Sequence, residues 1–288
     1  MIRTAPLEQA ELAIIGAGCA GLSLARQLVR TEKTSSIKAC LYGPVSPAAT
    51  NRHSWGFWAT QGLKEQTELA RQRWHKWQII TAERKVTQTA DSHPYCRLDS
   101  RDWLTHCLNI IDGNIQKEPD NLPTPGAKPV FDSRPPNVPD GAMLQHFKGV
   151  EIKAAQPCFS PDTAILMDFR CDQSRGIHFI YLLPYSPTEA LVESTMLSPK
   201  RQNDQFYAEA IKTYLETYWA TGGWQVNHTE QGCIPMAFVQ PANPDYLPIG
   251  ANGGCVRPSS GYAFAFIQKH TDAIVDRLVL SGPDPLTP

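Results

Sequence analysis

The chain has 288 residues, 42% of them hydrophobic and 19% charged. That is a globular composition, long enough to bury a core without disulfide or metal staples. Basic residues number 27 against 28 acidic ones, so nothing in the charge argues for a nucleic-acid partner.

The segment Met1 to Ala10 carries Arg3 and Glu8 and is not expected to be a secretory signal. Leu12-Ala13-Ile14-Ile15 is a short apolar run of the kind a buried parallel strand shows. Gly16-Ala17-Gly18-Cys19-Ala20-Gly21 follows at once, and Leu22, Ala25, Leu28 and Val29 then mark one face of a helix. A second apolar stretch, Ile37 to Tyr42, closes a βαβ unit. Trp74 and Trp77 are spaced i, i+3 and are expected on one helical face. Prolines 119, 123, 125, 129, 135, 136 and 139 forbid a helix, so this region is expected to be a loop broken by a strand near Val130-Phe131.

From Ala164 the pattern turns to strands: Ala164–Arg170, Gly176–Leu183 and Ala190–Thr195, the last two joined by a turn at 184–188. Phe206 to Trp219 reads as an amphipathic helix burying Phe206, Ala210, Tyr214 and Tyr218. Ser259 and Ser260 are N-cap candidates for a last helix carrying Phe264, Ile267, Ile274 and Leu278. No run of 18 apolar residues occurs, so no spanning helix is expected. The eight cysteines form no CxxC pair and are expected to be free thiols. The histidines show no i, i+3 or i, i+4 pair, and no metal is expected.

The glycine motif carries a mechanism. Gly16 allows a tight turn, Gly18 lets backbone approach a pyrophosphate, and Gly21 lets the helix pack close to the strand. Cys19 and Ala20 lie inside the same loop, and no redox role is assigned to Cys19. An acidic residue at the end of the second strand, which would hold the ribose hydroxyls, is missing; Tyr42-Gly43 stands there. The expected class is α/β: a Rossmann-type dinucleotide-binding part split by an antiparallel sheet, the layout of hydroxylase-type flavoproteins.

Several blocks together resemble the bacterial lycopene β-cyclase family, flavoproteins that close the ends of a linear carotenoid into rings. They are His53-Ser54-Trp55-Gly56-Phe57, Phe131-Asp132-Ser133-Arg134, and Leu166-Met167-Asp168 with Gly176, Phe179, Tyr181, Leu183 and Pro184. Leu191-Val192-Glu193-Ser194-Thr195, Leu247-Pro248-Ile249-Gly250-Ala251 and Arg257-Pro258-Ser259-Ser260-Gly261-Tyr262 complete the set. The resemblance runs from about residue 11 to 280. Family members continue further, so a shortened C-terminus is expected. A more open substrate chamber, a different substrate, or dependence on a partner subunit then stand as alternatives.

The resemblance implies an FAD-binding part at 1–55, 98–135 and 240–288, and a substrate part at 56–97 and 136–239. It implies redox-neutral cyclisation of an apolar polyene, with the reduced flavin active and NAD(P)H as reductant. It also implies a cytoplasmic protein in peripheral contact with the inner face of the membrane. Glu193 matches the family's acidic motif; on its strand it shares a face with Leu191 and Thr195, and it is the expected catalytic acid. Arg101 is a candidate contact to the dinucleotide phosphates. Asp132 and Arg134 either contact flavin or brace a turn. Gly250, Pro258, Gly261 and Tyr262 match the flavin-binding C-terminal segment, and a helix start at 259–262 would stabilise negative charge on the flavin. His53 and Trp55 either line the pocket or pack in the core. The rival readings are an FAD-dependent monooxygenase and a non-catalytic flavin- or lipid-binding subunit.

Overall fold

The structure, a computed structural model, describes residues 10–44, 52–118, 122–125 and 128–282. The first nine residues, Pro119 and the chain beyond Gly282 lie outside it, and with them the expectations on Met1–Ala10 and on the C-terminal end.

In chain order the elements begin with β1 (Leu12–Ile15), α1 (Cys19–Arg30), β2 (Ala39–Tyr42) and β3 (Ser54–Trp58). Next come α2 (Lys64–Leu69), β4 (Gln72–Trp74), β5 (Lys76–Ile80), β6 (Lys85–Thr89) and β7 (Tyr95–Asp99). Then follow α3 (Ser100–Ile111), β8 (Gln116–Glu118), β9 (Val130–Asp132), β10 (Leu144–Ala154), β11 (Thr163–Asp168), β12 (Ile177–Pro184) and β13 (Glu189–Ser198). α4 (Asp204–Tyr218), β14 (Trp224–Pro235), β15 (Leu247–Pro248) and α5 (Phe264–Ser281) close the series. The chain divides into two compact units, one of Met1–Trp55, Asp99–Pro139 and Phe238–Pro288, the other of Gly56–Leu98 and Asp140–Ala237.

The first unit is built on a parallel sheet in the order β15-β9-β1-β2-β8. All four residues of β1 are buried, as its unbroken apolar run requires of a central strand. One face carries Ala13, Ile15, Cys40, Tyr42 and Val130, packed with Tyr246. Helices α3 and α5 both pack on α1. Between them the buried Ser23 hydroxyl accepts from the Trp103 indole N–H and the Gln268 amide, each at 3.0 Å. Strand order reverses at β1, with β2 on one side and β9 on the other. The carboxyl end of β1 is therefore the switch point at which such sheets bind ligands.

Helix α5 starts at Phe264, not at Ser259 or Ser260. Those serines lie in a turn closed by the Arg257 N–H to Tyr262 O and Gly261 N–H to Arg257 O bonds, both 2.9 Å. Its buried residues include Val275 in place of the expected Ile274, because Gln268, Thr271 and Val275 complete the stripe.

The second unit is built on a seven-stranded sheet in the order β14-β10-β13-β12-β11-β5-β6. Its neighbours are antiparallel except β11 beside β5. The β12–β13 pair is the expected hairpin, with Pro184 opposite Ala190. α4 covers one face: Ile211, Tyr214 and Leu215 pack on Ile152, Ile180, Leu182, Ala190 and Val192. The buried stripe of α4 is Tyr207, Ile211, Tyr214 and Leu215, whereas Phe206 is half-buried and Tyr218 exposed. The true i, i+4, i+7, i+8 spacing outcompetes the expected i, i+4, i+8, i+12 run, which drifts around the helix.

Trp74 and Trp77 are not helical. Trp74 ends β4 and Trp77 lies in β5, and a three-residue spacing alone does not separate a helix from two strands meeting at a bend. The buried Trp74 donates its indole N–H to Pro184 O at 3.0 Å. Trp58 meets Trp77 at 5.6 Å and Tyr95 at 5.1 Å between ring centroids, so these rings form one aromatic cluster.

Candidate active site

The first region of interest is the carboxyl end of β1. Gly16 has φ +95°, a left-handed conformation that suits only glycine without strain. A methyl group at Gly21 would overlap the Gly16 carbonyl oxygen, so only glycine lets α1 pack this close to the turn. Gly18 differs: a methyl group there would meet nothing within 4 Å. Gly18 is also the N-cap of α1, with no side-chain cap and no acidic residue in the first turn. The first helical bond runs from Leu22 N–H to Gly18 O, so the N–H groups of Cys19, Ala20 and Gly21 precede it and point out of the helix start. An uncapped, positively polarised terminus with open space before it fits a pyrophosphate. Burial pushes the Cys19 thiol up to about 12, so it remains a neutral thiol in that loop.

Tyr42 is 1% exposed and belongs to the core, so it cannot stand in for the missing ribose-binding acid. Gly43, with φ +117°, occupies the strand end beside Gly16. On the other side of β1, the turn after β9 is bonded to the glycine loop: the Ser133 hydroxyl donates to Ile15 O at 2.8 Å. Gly250 sits over the start of α1, where a methyl group would come within 2.6 Å of the Ala20 methyl. Thus the segments 16–21, 132–134 and 250 converge at one end of the sheet. Gly261 is buried and Tyr262 half-buried just ahead of α5, while Pro258 is exposed. The α5 start, Ala263, also lacks a side-chain cap.

Asp132 is fully buried and chelates Arg134 through Nε at 2.9 Å and Nη2 at 2.7 Å. Asp168 does the same to Arg170 at the end of β11. The same Asp-x-Arg clamp ends a strand in each unit, which favours bracing for the Asp132 side chain. Arg101 is exposed in the first turn of α3, and its backbone N–H is capped by Asp99 Oδ1 at 3.0 Å. The His53 carbonyl accepts from the Ser100 N–H and its own N–H donates to the Ser100 hydroxyl oxygen, both at 2.9 Å, and the Trp55 ring packs on Phe264 at 5.5 Å.

The second region is the face of the seven-stranded sheet opposite α4. Register aligns side chains across it in rows. One row runs Tyr181, Glu193, Gly149, Glu230, and the next runs Phe179, Thr195, Phe147, Gly232. A third runs Leu183, Leu191, Glu151, His228. The face is thus aromatic and aliphatic around Glu193. Thr195 donates its hydroxyl to Glu193 Oε1 at 2.6 Å. Burial first, and then the charge of Glu230, push the Glu193 carboxyl up to about 8, against the opposing hydrogen bond. Glu151 instead takes the buried Arg97 guanidinium and the Tyr185 hydroxyl. Glu193 therefore carries a proton at neutral pH beside apolar surface, the state a general acid needs.

Sequence reasoning missed Ser133, Gly149 and Glu230. Ser133 lies inside a block already singled out. Glu230 carries no local signal, since its place beside Glu193 depends on a third strand lying between them. Among the described residues no group of His, Cys, Asp or Glu is arranged to hold a metal ion, and no helix is long and apolar enough to cross a membrane.

The fold is that of flavin-dependent enzymes. A flavin-dependent brominase aligns with a TM-score of 0.66 at 11% identity, over 96% of this chain and 80% of that one. A geranylgeranyl bacteriochlorophyll reductase-like protein from Thermoplasma acidophilum aligns at 0.69 and 12%, over 96% and 80%. Sequence relatives are more telling. The chain is 26% identical to the lycopene beta-cyclase of Pantoea ananas over 93% of this chain and 73% of that enzyme. It is 31% identical to the lycopene beta-cyclase of a Paracoccus species over 49% of this chain, an alignment spanning 37% of the relative's length. The profile described as lycopene cyclase protein matches residues 11–111 and 119–288. The chain belongs to the lycopene cyclase protein family.

Proposed function

We propose that this protein is an FAD-dependent, redox-neutral cyclase acting on the end group of a long apolar polyene. The observation that carries the reading is Glu193: a carboxyl raised to about 8, set among Tyr181, Phe179, Phe147, Leu191 and Leu183. Its proton adds to a terminal double bond, the ring closes on the resulting carbocation, and the proton then lost from the ring passes to solvent, from which the Glu193 carboxylate is reprotonated for the next turnover. No electrons are gained or lost overall. The aromatic and aliphatic neighbours on the sheet face exclude water, which would otherwise capture the cation. Their π-faces also favour positive charge nearby. Thr195 holds Glu193 Oε1, which leaves Oε2 to carry the proton.

The first unit is assigned to FAD and the second to the polyene. Gly16, Gly18, Cys19, Ala20 and Gly21 would hold the pyrophosphate, with Arg101 as a basic contact. Gly250, Pro258, Gly261 and Tyr262 would flank the ring system, and Asp132 braces the neighbouring turn. When bound and reduced by NAD(P)H, the flavin supplies negative charge that stabilises the cation. A polyene of this kind resides in the bilayer, so the reaction is assigned to peripheral contact with the cytoplasmic face of a membrane.

The test is expression in a lycopene-accumulating host, with purification of the protein for its visible spectrum. Conversion of lycopene to ringed products by a yellow protein, with reductant needed only in catalytic amounts, is the expected result. A fully flavinated protein that leaves lycopene untouched would overturn the reading. NAD(P)H consumption in step with oxygen uptake would point to a monooxygenase.

A further inference from the structure

We propose that Phe147 determines which end group this site accepts: its ring, laid over Gly232, is one wall of a slot above Thr195 that holds the cyclising end of the polyene and keeps water from its cation. The inference rests on the reading of Glu193 as the acid.

Four strands in register build the slot. Phe179 on β12, Thr195 on β13, Phe147 on β10 and Gly232 on β14 stand opposite one another in one row, so their side chains leave the same face of the sheet. Gly232 lies within β14 and is not left-handed, so its backbone does not demand glycine. What demands it is the Phe147 ring. A methyl group at Gly232 would lie 2.6 Å from Phe147 Cζ, 2.7 Å from Cε1 and 3.4 Å from Cε2. The far edge of the half-buried ring therefore rests on the β14 backbone, tilted away from Thr195. Phe179, the opposite wall, is buried and held by other rings, Tyr181 at 5.3 Å and Phe169 at 5.7 Å between centroids. Between the walls Thr195 is small and fully buried, and its hydroxyl holds Glu193 Oε1 at 2.6 Å.

Neighbouring strands lie about 4.8 Å apart, so walls separated by two such steps stand about 10 Å from each other at the base. Carbon contacts of about 3.5–4 Å on each side then leave room for one layer of hydrocarbon and not for two. A polyene end folding into a ring is one such layer. If Phe147 stood upright or tilted toward Thr195 it would narrow that space, and the glycine on β14 is what lets it lean away. Glu193 lies one row along, where it can deliver its proton to a chain end held in the slot. The π-face of each wall favours the cation. Water that reached the cation would bond through oxygen to the cationic carbon and release its extra proton to solvent. The product would be an alcohol, formed with no change of oxidation state. Phe147 thereby governs both the width of the end group and the partition between ring and alcohol.

The experiment compares the wild-type holoenzyme with Gly232→Ala, Phe147→Leu and the double variant, using lycopene as the probe. Three quantities are read per folded, flavin-containing molecule: the dissociation constant from the absorption shift of bound lycopene, kcat/KM, and the product masses. Gly232→Ala drives the Phe147 ring toward Thr195 and should weaken binding and lower kcat/KM by about 10-fold or more, the usual effect of a misplaced methyl group in an apolar pocket. Leucine has no Cε or Cζ, so the double variant should recover most of the affinity that Gly232→Ala loses. Phe147→Leu, alone or in the double variant, should release an alcohol one water heavier than lycopene, whereas the wild type releases ringed isomers. A Gly232→Ala protein with unmoved affinity, or a double variant that recovers none of it, would overturn the slot. So would a cyclising Phe147→Leu protein that forms no alcohol, since a merely structural phenylalanine changes how much protein folds and not what each molecule makes. If Gly232→Ala does not fold, the product partition of Phe147→Leu decides alone. A wild type that binds lycopene without cyclising it, with an affinity that answers the substitutions as stated, sinks the cyclase reading and leaves the slot standing. A wild type that cyclises lycopene while every variant matches it sinks the slot and leaves the cyclase reading standing.

Discussion

Replacing Glu193 by Gln should stabilise the protein in a pH-dependent way. The side chain keeps its size and much of its hydrogen bonding and loses its ionisable proton. The unfolded chain ionises Glu193 around its ordinary 4.5, while the folded protein holds it protonated up to about 8. Between those values folding takes up a proton in the wild type and none in the variant. Stability owed to the protonated carboxyl is fully present below pH 4.5 and is lost as the pH rises through 8. At about 1.4 kcal/mol per unit, the wild type should fall behind Glu193→Gln by about 2 kcal/mol at pH 6 and by about 4 kcal/mol at pH 8, approaching about 5 kcal/mol near pH 9. Above that the two curves run parallel. Denaturant titrations of both proteins from pH 4 to 9, at equal flavin loading, measure the difference directly. A difference that stays constant to within about 1 kcal/mol across this range would mean that Glu193 titrates as an open surface glutamate, and the acid assignment would fail. The same variant should lose cyclisation by a factor of about 10² to 10⁴ while keeping its flavin.

Gly18→Val should fold with a Tm near that of the flavin-free wild type, because a methyl group at this position enters space with no protein neighbour within 4 Å, yet it should lose the yellow flavin absorbance. Full flavin retention would place the pyrophosphate elsewhere. Gly21→Ala should instead destabilise by about 1 to 3 kcal/mol or more, because its methyl group overlaps the Gly16 carbonyl; an unchanged Tm would refute that packing. In the native protein at pH 8, iodoacetamide should label the exposed Cys233 well before Cys19, whose thiol lies near 12. Peptide mapping that finds Cys19 labelled first would show the loop to be open.

The nucleotide-type βαβ unit is legible because its physics is local. A four-residue apolar strand, a turn that admits only glycine and a helix with an apolar stripe all fall within thirty residues. The β12–β13 hairpin is legible for the same reason, since both strands and the turn are contiguous. What is not legible is decided by packing partners. Trp74 and Trp77 share a spacing that suits a helix, and only the pairing of β4 with β7 and of β5 with β6 and β11 makes them strand residues. Ser259 and Ser260 have the chemistry of N-caps, but the 257–262 turn takes up their backbone and moves the helix start to Phe264. The Tyr42 side chain is core because Ala13, Ile15, Cys40, Val130 and Tyr246 surround it. A missing acid in the motif is visible in the sequence; where the tyrosine goes instead is not.

The candidate acid shows the same division at the level of function. Strand alternation is enough to place Glu193 on the face of Leu191 and Thr195, because period two is a property of one strand. Its chemistry depends on more. The carboxyl is raised first by burial and then by the charge of Glu230, which is 37 positions distant, on β14, separated from β13 by β10. A glycine at 149 reads as a weak point in an otherwise β-branched and polar strand. Only the register shows that it lies between two glutamates. A methyl group there would lie 3.1 Å from Leu191 Cδ1 and 3.2 Å from Glu230 Cγ, tight enough that those side chains must give by a few tenths of an ångström, and in ordinary contact with Glu193 Cβ at 3.4 Å. The protonation state of the acid therefore depends on its burial in the sheet and on the order of three strands, and no single stretch of sequence contains either.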